Sequence, residues 1–275
     1  GARRTVAMPL MPLFLLSISL LFRPLCTSTL RRPVLFRRYL RDSTLSADAD
    51  EAGLAMFSSP AWPKLCDQLN RLPVFTVANE RGQPLHYDSP KGELISLLHT
   101  DPAAAKEELI SAQKRYPELN CGLLPLGMGH AYRLSMEGKA IIIPGRAQIE
   151  AAGAPVGASP DGQEVPLFGC LHISRPGTDG VDHVLPLFAS RIDAEETIAN
   201  AVAMTEGETA DGLDIMCLSL TRAVELLLTT DGTGFEFIPD SSAMKFIEET
   251  IKAEGWEDSQ VLVPRDHHQE NGQGE

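Results

Sequence analysis

Gly127-Met128-Gly129 stands between an apolar run and a stretch of helical composition, where a nucleotide-binding loop would lie. Glycines serve such a loop by letting backbone amides close on a pyrophosphate at a helix N-terminus. The third glycine position holds Tyr132 instead, and the corresponding later segment, Ser219-Leu220-Thr221, has no glycine. The pair therefore reads as the start of a helix rather than a phosphate cradle.

Other candidates for chemistry are equally scattered. His130, His172 and His183 fall on different predicted strands and loops, and none has a second His one helical turn away. Each is expected to be a surface or hydrogen-bonded side chain, not a metal ligand. Asp266-His267-His268 lies in a polar tail without neighbouring ligands. Cys26, Cys66, Cys121, Cys170 and Cys217 show neither Cys-x-x-Cys spacing nor a disulfide framework, so those in the body read as small buried hydrophobes. Glu195-Glu196 and Glu248-Glu249 occupy predicted helix surfaces, where solvation is the default. No Gly-x-Ser-x-Gly motif occurs, and an enzymatic reading would need His130, Cys121 and Cys217 to converge. The expectation is a protein with no catalytic, metal or cofactor-binding residues, not an enzyme.

Charge narrows the partners. The net charge is -13, yet the first 41 residues carry eight Arg and no acid. Beyond them 16 basic residues face 37 acidic ones, a balance of about −21. So acidic a body repels phosphate backbones, which argues against nucleic-acid binding. It suits basic partners.

The elements that would position these residues follow a pattern stated twice. Leu72-Pro73-Val74-Phe75 recurs as Val165-Pro166-Leu167-Phe168, a shift of 93 residues. Ile143-Pro144 answers Ile238-Pro239, a shift of 95. A near-constant shift between ordered landmarks argues for a duplicated unit. In the first copy, strand 72–78, a turn at Asn79-Glu80-Arg81-Gly82, a returning strand 85–87 and an apolar run 94–98 precede helix 103–116, with Asp101 as N-cap and Pro102 at the first helical position. Strand 122–126, helix 128–136, strand 139–143 and helix 144–152 complete it. The second copy reads as strand 165–173, turn 175–180, strand 184–189, helix 194–204, strand 214–218, helix 220–228, strand 234–238 and helix 241–253, capped by Asp240 or Ser241.

The fold class is α/β of mixed α+β character: two tandem pseudo-symmetric repeats with mixed sheets flanked by helices. The expected divisions are a targeting presequence 1–41, a linker and helix 42–71, a first repeat 72–153, a linker loop 154–164, a second repeat 165–253 and a polar tail 254–275. Phe57 and Trp62 are expected to pack the linker onto the body. Pro73 and Pro166, which lack a backbone donor, are expected at equivalent strand starts or sheet edges.

Residues 1–41 read as an address. Arg3-Arg4 precede an apolar run 8–22, too short for a membrane span and resembling a signal-peptide core. An Arg-rich, acid-free stretch 30–41 follows, as in organelle transit peptides. Signal followed by transit resembles the two-part address of proteins of plastids acquired by secondary endosymbiosis, and a single uncleaved amphipathic anchor is the alternative. With no Met at position 1, the natural start is expected upstream or at Met8.

Apolar residues that a duplicated sheet could show to a partner are Leu85, Tyr87, the 94–98 run and Leu226-Leu227-Leu228. Core packing is the default for them, and an exposed binding patch the alternative.

Taken together, Leu72 through Pro84, Val165-Pro166-Leu167-Phe168 and Phe235-Glu236-Phe237-Ile238-Pro239-Asp240 resemble the Tic twenty-two family, the soluble intermembrane-space component of the plastid protein-import translocon. The resemblance covers about residues 55–252. It implies two pseudo-symmetric halves with apolar surface pockets and chaperone-like binding of unfolded or extended preproteins, beside translocon subunits. It also implies no cofactor and an association peripheral to the membrane at most. Asp101-Pro102-Ala103-Ala104-Ala105, the 153–163 loop and the acidic tail depart from the family pattern. An adaptor of the SseB-like kind, recruiting one folded partner, is the alternative from another class.

Overall fold

A computed structural model describes residues 55–89, 92–174, 184–203, 213–229 and 234–254. The expected presequence 1–41, the turn at 175–180 and the tail beyond residue 254 lie outside the described residues.

A short 3-10 turn, Met56–Ser58, leads into helix α1 (Trp62–Leu69), which has Pro63 in its first turn. Phe57 meets Trp62 edge-on with ring centroids 4.6 Å apart, and Trp62 sits in the central core 6.3 Å from the Tyr132 ring, so the two pack this segment onto the body as expected. Strand β1 (Pro73–Ala78) ends at a turn in which Asn79 Oδ1 accepts from the amides of Arg81 and Gln83. Gly82 there sits at φ +72, a left-handed conformation that glycine adopts without strain. Strands β2 (Tyr87–Asp88) and β3 (Leu94–His99) follow. Helix α2 (Pro102–Arg115) starts as its sequence dictates: the Asp101 carboxylate accepts from Ala103 N at 2.8 Å and Pro102 fills the first turn. Strand β4 (Gly122–Gly127), helix α3 (Met128–Met136), strand β5 (Ala140–Ile143) and helix α4 (Arg146–Ala151) complete the first half.

The second half comprises β6 (Pro166–Gly169), β7 (Leu185–Phe188), α5 (Arg191–Ala203), β8 (Met216–Ser219), α6 (Leu220–Thr229), β9 (Phe235–Ile238) and α7 (Ser241–Glu254). In this half two boundaries differ from the sequence reading by three residues or more. β6 stops at Gly169 because Ile173 N turns back to the Cys170 carbonyl at 3.1 Å. α5 begins at Arg191, three residues early, because Ser190 Oγ accepts from Asp193 N at 3.3 Å and so caps the helix. No helix among the described residues is long and apolar enough to cross a membrane.

Two mixed sheets result, one ordered β4-β1-β3-β5 with β2 added to β3, the other β8-β6-β7-β9. Their pairings match. β1 runs antiparallel to β3 and β4, as β6 does to β7 and β8, while β3–β5 and β7–β9 are parallel. Phe75 lies opposite His99, and Phe168 opposite Phe188. Pro73 opens β1 opposite Gly127, and Pro166 opens β6 opposite Ser219, so the two prolines occupy corresponding strand starts. The correspondence extends to the helix starts: Met128 N donates to the Leu72 carbonyl and Leu220 N to the Val165 carbonyl, both at 2.8 Å.

All six residues of β1 are buried, so both faces of its sheet are covered. Alternation splits them. Val74 faces a central core that joins Trp62, Leu65 and Leu69 of α1 and Met128 and Tyr132 of α3 to Leu167, Leu187, Leu227 and Phe237 of the second half. Phe75 faces outward, against Ala105 of α2 and against Ala243 and Ile247 of α7. The other sheet mirrors this, with Phe168 and Phe188 packing against Ala194 of α5 and Ala151 of α4. Each half thus sends its last helix over the other half's sheet. Phe246 of α7 meets Phe75 at 5.4 Å between centroids, near-perpendicular, with Lys106 Nζ 4.3 Å over its ring. Arg191 Nη1 holds the Ala151 carbonyl of α4 at 3.1 Å.

Ile247 is buried in the α7 contact with the first sheet, so Ile247→Ala is expected to lower the free energy of urea unfolding by about 2–5 kcal/mol. A loss under about 0.5 kcal/mol would show that the crossing helix does not hold the halves together.

Candidate functional site

Gly127 and Gly129 lie where α3 begins against the C-terminal end of α1. A Cβ built on Gly129 would come within 2.6 Å of the Cys66 carbonyl oxygen and 2.8 Å of Asn70 Oδ1. Asn70 Oδ1 accepts from His130 N at 3.3 Å, occupying the α3 N-terminus where a phosphate would have to sit. The glycines serve close helix crossing, in keeping with the helix start read from the sequence.

The remaining candidates stay apart. His130 is half-buried beside Asn70 and His172 is exposed, while His183, Asp266, His267 and His268 lie outside the described residues. Cys121 packs with Val77 and Ala112 on the first sheet, whereas Cys217 packs with Phe168 and Phe188 on the second, so His130, Cys121 and Cys217 do not form one cluster. Burial pushes the Cys66 and Cys121 thiols upward, away from thiolate reactivity. Glu195 pairs with Arg191 at 2.8 Å, and Glu248 and Glu249 are exposed. Among the described residues no group of three His, Cys, Asp or Glu is placed to hold a metal ion.

The apolar candidates divide. Leu227 is fully buried and Leu226 and Leu228 pack against the central core, so the 226–228 run is core and not a binding patch, because its helix lies between the two sheets. Leu98 is buried and Leu85 packs beside Val77. Leu94, at the start of β3, stays 63% exposed, as do Ile110 on α2 at 66% and Ile192 on α5 at 73%.

Where the halves meet, Leu72, Pro73, Val165 and Leu167 line a narrow cleft. Its polar wall is satisfied internally. Gln148 Oε1 accepts from Thr100 Oγ1 at 2.6 Å and from Gly145 N at 2.8 Å, and Gln148 Nε2 donates to the Ala189 carbonyl of the other half at 3.2 Å. These bonds lock the junction and engage both ends of the Gln148 amide.

His99, which the sequence reading passed over, differs from these paired groups. It is 7% exposed at the end of β3, and among the described residues neither ring nitrogen has a hydrogen-bond partner. Its signal was the alternation Ile95, Leu97, His99, which puts an imidazole on a covered face. Burial lowers its proton affinity, against the opposing fields of Glu108, Asp101 and Asp161. Nearby, Tyr87 Oη donates to Glu108 Oε1 at 2.6 Å, and burial with this carboxylate raises the phenol well above its usual range. In the central core, burial pushes Tyr132 up to about 12, while the neighbouring Thr221 hydroxyl acts in the opposite sense.

Two outcomes follow for stability. Gly129→Ala forces α1 and α3 apart against backbone and is expected to cost about 1–3 kcal/mol in urea unfolding. His99 is held below the ordinary value of 6.5, so below that pH the unfolded chain binds a proton that the native chain refuses. Its stability is then full above pH 6.5 and falls as the pH drops toward the folded pKa. His99→Phe, matching Phe188 at the corresponding register, removes this loss. The stability difference between variant and parent should be flat above about pH 6.5 and grow in the variant's favour below it; a difference independent of pH would refute the assignment.

No protein-family model and no curated protein matches the chain. Solved structures do. The chain superposes on "Tic22 from Plasmodium falciparum" with a TM-score of 0.54 at 18% identity, covering 70% of this chain and 99% of that one. It superposes on "Anabaena Tic22 (protein transport)" with a TM-score of 0.51 at 16% identity, covering 68% of this chain and 96% of that one. With its two matched mixed sheets and crossed terminal helices, the chain has the Tic22 fold.

Proposed function

We propose that this protein acts in protein import into plastids, in a role like that of Tic22, by binding unfolded or extended preproteins in the envelope intermembrane space, beside subunits of the translocon. The observation that carries the reading is the fold likeness over 99% and 96% of the two Tic22 structures, one of them described as a protein-transport protein. Two features of the sequence support it. Residues 1–41 have the composition of a signal followed by a transit peptide, which suits a complex plastid. The body beyond them, near −21, draws in basic segments such as transit peptides.

Binding then has two parts, an electrostatic encounter and apolar contact. Exposed Leu94, Ile110 and Ile192 supply apolar contact area on the surface. The reading requires no cofactor and no bond-making step.

The protein from Asp42 onward, which holds every described residue, is expected to bind a synthetic transit peptide in fluorescence anisotropy. Raising the salt from about 50 to about 500 mM should weaken that binding roughly tenfold. Failure to bind, or binding indifferent both to salt and to apolar substitutions in the peptide, would overturn the proposal.

A further inference from the structure

β4 is an edge strand of the first sheet: it pairs with β1, and among the described residues no strand pairs with its other side. Its sequence, Gly-Leu-Leu-Pro-Leu-Gly, carries no charge, and Leu123 to Leu126 are half-buried. An apolar edge of this kind is a template for another strand, and charged side chains are the usual deterrent. β4 lacks that deterrent.

The register fixes which backbone groups face outward. Met128 N donates to the Leu72 carbonyl, and the same ladder sets Leu126 opposite Val74 and Leu124 opposite Thr76. Bonded pairs of an antiparallel ladder fall at every second residue. Gly122, Leu124 and Leu126 therefore turn their amides to β1, while Cys121, Leu123, Pro125 and Gly127 turn theirs away. Pro125 has no N–H to present there. The outward carbonyl of Cys121 is already taken, because Gln113 Nε2 of α2 donates to it at 2.9 Å. Asn70 lies against Gly127 at the other end of the strand. Of the central pair Leu123 and Pro125, only Leu123 offers both an N–H and a carbonyl. The repeat does not itself require a proline at this place, since Phe168 faces Cys217 where Phe75 faces Pro125.

We propose that Pro125 and Gln113 close the β4 edge against a second copy of this chain, so that the first sheet cannot be extended by edge-to-edge pairing. A second copy is the occupant that the strand itself specifies. Turned over about a two-fold axis at Leu124, a like strand sets each Leu123 opposite a Pro125 and each Cys121 opposite a Gly127. In that register the missing Pro125 N–H and the occupied Cys121 carbonyl remove half of the hydrogen bonds that would join the two edges. The apolar side chains remain, but the ladder that would hold them in register does not form. This closure stands independently of the import reading, because it concerns how the protein avoids itself and not what it carries.

Sedimentation velocity of the full chain, with parent and variants at the same concentrations, tests it. Pro125→Val returns the outward donor and Gln113→Ala frees the Cys121 carbonyl. The double variant should self-associate at least about tenfold more tightly than the parent. Hydrogen–deuterium exchange locates the contact: the amides at positions 123 and 125 should gain protection as the concentration rises, with β8 and β9 unchanged. In the dissociated double variant the amide at 125 should exchange fast while those of Leu124 and Leu126 stay slow, as outward and inward groups must. Association no tighter than the parent's, association that leaves 121–127 unprotected, or a slow amide at 125 in the dissociated chain would overturn the proposal. Should the double variant fail to fold, Gln113→Ala alone, which leaves the strand unaltered, decides: tighter association with protection at 121–127 supports the closure, and unchanged association overturns it.

Discussion

The fold depends on the exchange of terminal helices between its halves. α4, from the first half, covers Phe168 and Phe188 of the second sheet, and α7, from the second half, covers Phe75 of the first. Without this crossing, Phe75 on one sheet and Phe168 and Phe188 on the other would be covered on their outer faces by α2 and α5 alone. The inner faces are equally interdependent, since α1, α3 and α6 fill one core that takes residues from both sheets. Only the small cluster of Val77, Ala112 and Cys121 is built from the first half alone, and the Gln148 bond to the Ala189 carbonyl ties the crossing point.

Close approach at the α1–α3 crossing is the second constraint. Two glycines let the α3 N-terminus meet Cys66 and Asn70, and the Asn70 side chain takes the position an anion would need. A motif with a nucleotide-binding spelling is thereby turned to packing. At the matching place in the second half, Ser219 Oγ accepts from Arg222 N at 3.3 Å, so a capping side chain does locally what a neighbouring helix does in the first half. The halves share pairing register and differ in how they satisfy helix ends. His99 against Phe188 is a second difference of this kind, and it leaves the first sheet with a titratable group where the second has none.

Surface, charge and fold, rather than a pocket, distinguish this protein. Thr100 and Gln148 at the junction cleft are bonded to each other, and burial pushes the Cys66 and Cys121 thiols away from thiolate reactivity. What the body offers a partner is acidic surface with isolated exposed apolar residues such as Leu94 and Ile192. That combination favours loose, sequence-tolerant contact over a keyed site.

Local sequence determined most of the elements. Asp101-Pro102 and Asp240 capped their helices, Asn79 and Gly82 made the turn, and the β1 and β6 landmarks marked equivalent strands, because caps, turns and strand starts depend on a few neighbouring residues. The tertiary structure decided which faces are buried and by what. The apolar run 226–228 is core because α6 packs into the cluster shared by both sheets, whereas Leu94, paired at the start of β3 with Asp88 of β2, stays exposed. It also decided that α4 and α7 trade places, that Gln148 bridges the halves and that His99 has no partner. The meetings across the halves join residues distant in sequence, such as Gln148 and Ala189, 41 positions apart, and no local periodicity encodes such a meeting.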